Sequence, residues 1–128
     1  MAMRLDHMIL AANDVAASVA FYTRVLGFTD EGVRGPFTTL RAGPDLVIQL
    51  AEWPTTGGMH LAFATEPAEL ERVMTRVRES GVPYGDAFDA VGNMRGPGVA
   101  DGAHGVTQSL YLTDPSGHLI EVVCYPAR

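Results

Sequence analysis

The chain is short of the residues that mark several large classes of protein. It has one cysteine in 128 residues, which excludes an internal disulfide and predicts a reducing compartment, the cytoplasm. No apolar run reaches the roughly 20 residues of a membrane-spanning helix, and the N-terminus lacks the layout of a signal peptide. Its 9 basic and 15 acidic residues argue against nucleic acid or an anionic membrane as partner, because phosphate binding needs a basic face. We therefore expect a globular protein with Cys124 in its core.

What the chain does contain is one pattern of about fifty residues that occurs twice. Each copy opens with a short apolar strand that carries a histidine, His7 in the first copy and His60 in the second. A helical stretch with the tripeptide Thr-Arg-Val follows, then a glycine that stops it, and an apolar strand ends the copy. We predict one domain, 1–128, that consists of two modules, 1–54 and 57–128, each with the order strand, helix, three strands.

Local patterns divide the modules into elements. The first helix begins at Asn13 or Asp14, either of which offers an N-cap oxygen, and ends at Gly27. The second helix begins near Pro67 and ends at Gly81. Strands are predicted at 4–11, 28–34, 37–42, 46–51, 59–65, 82–90, 106–113 and 118–125.

The second module also has a glycine-rich insertion at 92–105. We expect no regular element there, and the segment is either a lid that contacts substrate or a plain surface loop. His104 lies in this insertion and reaches a site on the sheet only if the segment folds inward.

Strand alternation decides which side chains share a face, because successive residues point to opposite sides. One face of the predicted strands is uniformly apolar and suited to pack under the helices. The other face carries His7, Gln49, His60 and Glu121, whereas His118 has the opposite parity to Glu121 and should point away. A buried carboxylate without a partner costs several kcal/mol, so Glu121 must pair, contact water or bind a cation.

Two histidines and one carboxylate form a ligand set that suits Fe(II), Mn(II), Zn(II) or Ni(II) and leaves coordination positions open. Gln49 is then a weak fourth ligand or a group that hydrogen-bonds near the metal. The competing interpretation is that each histidine is an ordinary core or surface residue. The equivalent positions of the two histidines in the two copies favour the metal-binding interpretation.

The chain resembles the vicinal oxygen chelate superfamily, which contains glyoxalases, extradiol dioxygenases, fosfomycin thiol transferases and bleomycin-binding proteins. The Asp-Pro-Ser-Gly-His-Leu-Ile-Glu run at 114–121 is the most specific match, and it resembles a tight turn that delivers a glutamate onto the last strand. The other matching stretches are Asp6-His7, Asn13-Asp14-Val15, Phe21-Tyr22, Val25-Leu26-Gly27-Phe28, Met59-His60-Leu61-Ala62-Phe63 and Tyr111-Leu112-Thr113.

The resemblance implies an α+β fold in which two βαβββ modules form a curled mixed sheet, a cup, with the helices on its outer face. The metal ligands carried over by position are His7, His60 and Glu121. Glyoxalases usually have glutamate where this chain has Gln49, and the chain has no lysine for a phosphonate-binding loop.

Further residues and partners also follow from the resemblance. Ser109 and Tyr111 would face the cup. Tyr111 would be an auxiliary acid or hydrogen-bond donor, or else an aromatic residue of the cup wall. Arg95 would be the one basic group that lies over the cup.

Two functions remain open at this point. The first is a metal-dependent enzyme that acts on a small oxygen-chelating substrate by dioxygenase, lyase, isomerase or thiol-transferase chemistry. The second is a metal-free protein that binds and sequesters a bleomycin-type antibiotic. The resemblance also implies a homodimer, in which each site draws its ligands from one chain or from two.

Overall fold

A computed structural model describes residues 2–126, which form two helices and nine strands. This arrangement confirms the predicted α+β fold. Among the described residues, neither helix is long and apolar enough to cross a lipid bilayer. In chain order the elements are β1 (His7–Ala11), α1 (Val15–Arg24), β2 (Thr29–Arg34), β3 (Phe37–Gly43), β4 (Leu46–Ala51), β5 (His60–Ala64), α2 (Pro67–Ser80), β6 (Tyr84–Gly85), β7 (Gly98–Gly102), β8 (Gly105–Thr113) and β9 (Leu119–Cys124).

The strands form two sheets with related topology. The first has the order β1-β4-β3-β2, and the second has the order β5-β9-β8-β6, with β7 also paired to β8. In each sheet the histidine-bearing strand pairs in parallel with the last strand of the same copy, β1 with β4 and β5 with β9. Among the described residues β1 and β5 have no second neighbour, so each leaves one strand edge open.

One hydrophobic core joins the two halves of the chain. It contains the apolar faces of both sheets, represented by Leu10 and Ile120, together with Tyr22 from α1 and Val77 from α2. Cys124 belongs to this core, which confirms its predicted placement. Because the apolar faces are turned inward, the alternate side chains of the same strands lie on the opposite faces of the sheets.

The helix starts follow ordinary capping chemistry. Asp14 is the N-cap of α1, since its side chain accepts a hydrogen bond from the backbone N–H of Ala17 at 3.1 Å. Asn13 instead exchanges two hydrogen bonds with the backbone of Thr55, at 2.7 and 2.9 Å, and so binds the linker between the two halves. Helix α2 ends at Gly81, which has a φ of 74° and closes the helix in the left-handed conformation.

Two predicted elements of the second half were wrong. The strand expected over 82–90 is reduced to Tyr84–Gly85, and the insertion expected to be irregular contains strand β7. Strand β7 lacks hydrophobic alternation, so its sequence carries no periodic signal, but its backbone pairs with β8 from Gly98 to Gly102. Gly98 is required because a Cβ there would collide with the backbone of Asp86, whereas a Cβ at Gly102 would force the side chains of Tyr125 and Thr107 to shift.

The turn between β8 and β9 is built around a buried carboxylate, Asp114. Its Oδ1 accepts hydrogen bonds from the backbone N–H groups of Ser116 and His118, both at 2.9 Å. Its Oδ2 accepts from the hydroxyl of Tyr22 on α1 at 2.6 Å. Burial, followed by the charge and hydrogen bond of Asp114, raises the pKa of Tyr22 far above that of a free tyrosine.

His118 ties the same turn to both halves of the chain. Its Nε2 donates to the carbonyl of Ala11, at the end of β1, at 2.9 Å. Its Nδ1 accepts from the backbone N–H of Met59, just before β5, at 3.3 Å. The side chain is buried, so His118 is a structural link between the first strands of the two copies.

We expect Tyr22→Phe to lower the free energy of unfolding at pH 7 by about 1.5–3 kcal/mol, because it removes a buried hydrogen bond to a charged group. The difference from wild type should shrink above about pH 10, where Tyr22 ionises in the unfolded chain but resists ionisation in the folded one. Urea denaturation across this pH range measures both effects. Tyr84→Phe, at a buried tyrosine without such a partner in the described chain, is the control, and an equal loss there would contradict the assignment.

Candidate functional site

Three adjacent strands of the second sheet bring polar side chains to one face. Glu121 on β9 is in register with Ala62 on β5 and with Tyr111 on β8. Register partners project on the same side of a sheet, and His60 lies two residues before Ala62, on that side too. As a result, His60 Nε2 lies 2.9 Å from Glu121 Oε1. The structure therefore brings together two of the three predicted metal ligands.

The two members of this pair differ in their exposure to solvent. The side chain of Glu121 is 10% exposed, and that of His60 is 49% exposed. Glu121 therefore presents a carboxylate in a largely desolvated position, where an opposite charge interacts strongly with it. His60 covers the carboxylate on the side that is open to solvent.

Tyr111 and Ser109 extend the polar face beside Glu121. The Tyr111 hydroxyl is a proton donor at neutral pH, as in any tyrosine, and burial followed by the neighbouring Glu121 charge raises its pKa further. Ser109 is fully buried and shares a 2.6 Å hydrogen bond with Thr107, in which either hydroxyl can donate. Both residues occupy the face on which the sequence placed them.

A cavity of about 350 Å³ opens over this face. It contains two acidic groups, Asp101 and Glu121, and no lysine or arginine. It is lined by His60, Ala62, Ala64, Asp101, Gly102, Ala103, His104, Glu121, Val123 and Tyr125.

The tip of the β7–β8 hairpin forms one wall of the cavity. The backbone N–H of His104 donates to the hydroxyl of Tyr125 at 3.2 Å, and the two rings meet edge to face with centroids 5.6 Å apart. The part of the insertion that contains Arg95 lies elsewhere: Arg95 is exposed, bonds Asn93 through its backbone N–H and does not line the cavity. Within the insertion, only its hairpin tip therefore contributes to the site.

Two residues of this cavity, Asp101 and Tyr125, were missed by the sequence analysis. The Asp-Gly-Ala-His-Gly run at 101–105 is a turn signal that could have indicated the hairpin tip. Nothing local indicates which way that tip leans. Its direction depends on Tyr125, which follows β9.

The other two predicted residues lie in the first sheet. His7 is 51% exposed in its side chain, and its Nδ1 lies 3.0 Å from Asp6 Oδ2, a hydrogen bond that lowers the pKa of Asp6. Gln49 donates from Nε2 to the hydroxyl of Thr39 at 3.4 Å. Within residues 2–126 of a single chain, no three histidine, cysteine, aspartate or glutamate side chains converge to hold a metal. The four predicted residues are thus divided between the two sheets.

Comparison with known proteins gives the family of this fold. The model of the Glyoxalase/Bleomycin resistance protein/Dioxygenase superfamily matches residues 4–122. The chain belongs to this superfamily. This confirms the resemblance to the vicinal oxygen chelate proteins, and the match includes both halves of the chain.

Several relatives share the fold over nearly their whole length. Virulence protein STM3117 of Salmonella typhimurium is 28% identical over 95% of this chain and 84% of its own, and its crystal structure superposes with a TM-score of 0.77. Protein VPC_CASS1, from the mobile metagenome of V. Pseudocholerae, is 30% identical, with a TM-score of 0.77 over 99% of this chain and 98% of its own. Oxidase ChaP-H2 is 24% identical, with a TM-score of 0.80 over 98% and 96%, a likeness that concerns the fold alone.

We expect Tyr125→Phe to free the hairpin tip, because it removes the hydroxyl that accepts from the His104 amide. A hydrogen bond worth about 0.5–1.5 kcal/mol corresponds to an increase of about 2- to 10-fold in hydrogen exchange at that amide. Exchange measured by NMR tests this, with the His118 amide as an internal control that should not change. An unaltered His104 rate would show that Tyr125 does not hold the tip.

Proposed function

We propose that this protein is a divalent-metal-dependent enzyme that acts on a small oxygen-chelating substrate by dioxygenase or lyase chemistry. One observation carries the proposal: His60 Nε2 lies 2.9 Å from the buried Glu121 carboxylate, at the wall of a cavity of about 350 Å³. A buried carboxylate that faces an open cavity beside an imidazole is a donor arrangement suited to a cation.

The donor types fit the group that the family suggests. An imidazole nitrogen and a carboxylate oxygen are ligands that Fe(II), Mn(II), Zn(II) and Ni(II) all accept. Catalytic sites of this kind use three protein ligands, and a single chain supplies two of them here. His7, the third predicted ligand, lies in the other sheet of the same chain.

A second copy of the chain completes the set in our proposal. His7 is on β1 and His60 is on β5, and each of these strands has one edge without a partner strand among the described residues. Both side chains are about half exposed, and the apolar Ile9 and Met59 beside them are 40% and 44% exposed. A homodimer that sets β1 of one copy against β5 of the other buries this apolar surface and unites the two polar faces.

The remaining roles belong to this chain's own side chains. When bound, a divalent cation supplies Lewis acidity to two adjacent substrate oxygens. The Tyr111 hydroxyl, which is protonated at neutral pH, donates a hydrogen bond where negative charge develops on substrate. The hairpin tip with Asp101 and His104 covers one side of the cavity and limits the access of water.

The charges of the cavity indicate the substrate class. Asp101 and Glu121 give it two negative charges, which one divalent cation balances, and its lining contains no lysine or arginine to hold a second anion. A strongly anionic substrate such as a phosphonate is therefore disfavoured. A neutral or weakly acidic molecule with two vicinal oxygens, such as a catechol or a hydroxyketone, fits this balance.

We expect protein purified without chelators to contain about one transition-metal ion per chain, and Glu121→Gln or His60→Ala to lose most of it. Mass spectrometry of the metal content, with titration of Zn(II) or Co(II) into the stripped protein, measures this. His104→Ala is the matched control: it removes a histidine from the same cavity that we do not place on the metal. Full occupancy in all three variants would refute the proposed site, and wild-type protein that contains no metal would favour metal-free sequestration of a ligand.

A mixed dimer tests whether the ligands come from two chains. Neither His7→Ala nor Glu121→Gln alone should hold metal, but a heterodimer of the two has one site with every ligand intact. We expect about one ion per heterodimer after purification with two different affinity tags. A verified heterodimer that stays empty, while wild type is loaded, would show that the ligands do not combine across chains.

A further inference from the structure

The aspartate before the first strand contacts the histidine that begins it. Asp6 Oδ2 lies 3.0 Å from Nδ1 of His7, a hydrogen-bond distance. A carboxylate at neutral pH only accepts hydrogen bonds, so the shared proton resides on Nδ1 of the imidazole. The tautomer with hydrogen on Nδ1 leaves the lone pair of Nε2 free. Within residues 2–126, that Nε2 has no hydrogen-bond partner.

Asp6 makes two further contacts. Its backbone carbonyl accepts from the N–H of Val47 on β4 at 3.3 Å, which continues the parallel pairing one residue beyond β1. Its other carboxylate oxygen, Oδ1, accepts from Arg4 Nη2 at 3.4 Å. Of these two contacts, only the ion pair with Arg4 involves the carboxylate, and both of its side chains are exposed.

The two histidines differ in this respect. His60 uses its Nε2 toward Glu121, and within the described chain its Nδ1 makes no hydrogen bond. His7 alone has a carboxylate behind its ring. In the dimer proposed above, one chain supplies His60 and Glu121 to a site and the second chain supplies His7. His7 therefore has no other metal ligand of its own chain beside it to orient its ring.

From this geometry we infer that Asp6 is a positioning residue, which holds His7 in the Nδ1–H tautomer and presents Nε2 to a divalent metal. This inference rests on the proposed function. Carboxylates that accept from a metal-bound histidine commonly contribute 10- to 100-fold in metal affinity, about the effect expected here.

Asp6→Ala, made in the full-length protein, tests the inference. We expect the affinity for Co(II) or Zn(II), measured by competition with a chromophoric chelator, to fall about 10- to 100-fold. Asp6→Asn keeps an acceptor oxygen and should fall between this variant and wild type. Asp45→Ala is the matched control, because Asp45 is an exposed acid that lines the same small polar cavity as Arg4 and Asp6 without touching His7. Its affinity should match wild type.

A second measurement needs neither metal nor substrate. Long-range proton–nitrogen NMR of the metal-free protein distinguishes the two ring tautomers, and His7 should change from Nδ1–H to a mixture in Asp6→Ala only. Wild-type affinity and an unchanged tautomer in Asp6→Ala, together with weak binding by His7→Ala, would overturn this inference and leave the proposed function intact. Wild-type affinity in His7→Ala would overturn this inference together with the assignment of His7 as the third metal ligand.

Discussion

The hydrogen bonds to the buried Asp114 carboxylate hold the two halves of this protein together. Its three donors come from its own turn and from Tyr22 on the first helix, so the charge is satisfied only when that helix is docked. The same turn leads directly into β9, which carries Glu121. A contact in the core, remote from the cavity, therefore determines where the candidate site's carboxylate lies.

The duplicated architecture explains why the two pairs of polar side chains lie apart in a single chain. Each copy turns its apolar strand face toward a common core, which includes the edge-to-face contact of Phe28 with Phe63 at 5.1 Å. The polar faces then lie on the far sides of the two sheets. His60 and Glu121 meet on one of them, while His7 and Gln49 share the other. The packing that buries the apolar faces of the two sheets therefore also keeps their polar faces apart.

The sequence predicted the structure correctly wherever the two-residue alternation of side chains along a strand determines which face a residue occupies. Strand alternation placed His60 and Glu121 on one face and Cys124 on the other, because side chains alternate strictly along a strand. It failed at β7, whose glycines carry no periodic signal and which is stabilised only by pairing with β8. Strand alternation also could not predict how the two halves of the chain pack together, since contacts such as that of Tyr22 with Asp114 join residues 92 positions apart. A local pattern contains no information about such a contact.

The open edges of β1 and β5 also bear on the size of the assembly. A pair of chains related by a twofold axis, each β1 against the other's β5, pairs all four of these edges and offers none of them to a third chain. A staggered arrangement, in which each chain pairs with two different neighbours, leaves an edge free at both ends and continues as a fibre. For this protein, the closure that would complete an ion-binding centre is thus the same event that withdraws the β1 and β5 edges from further pairing.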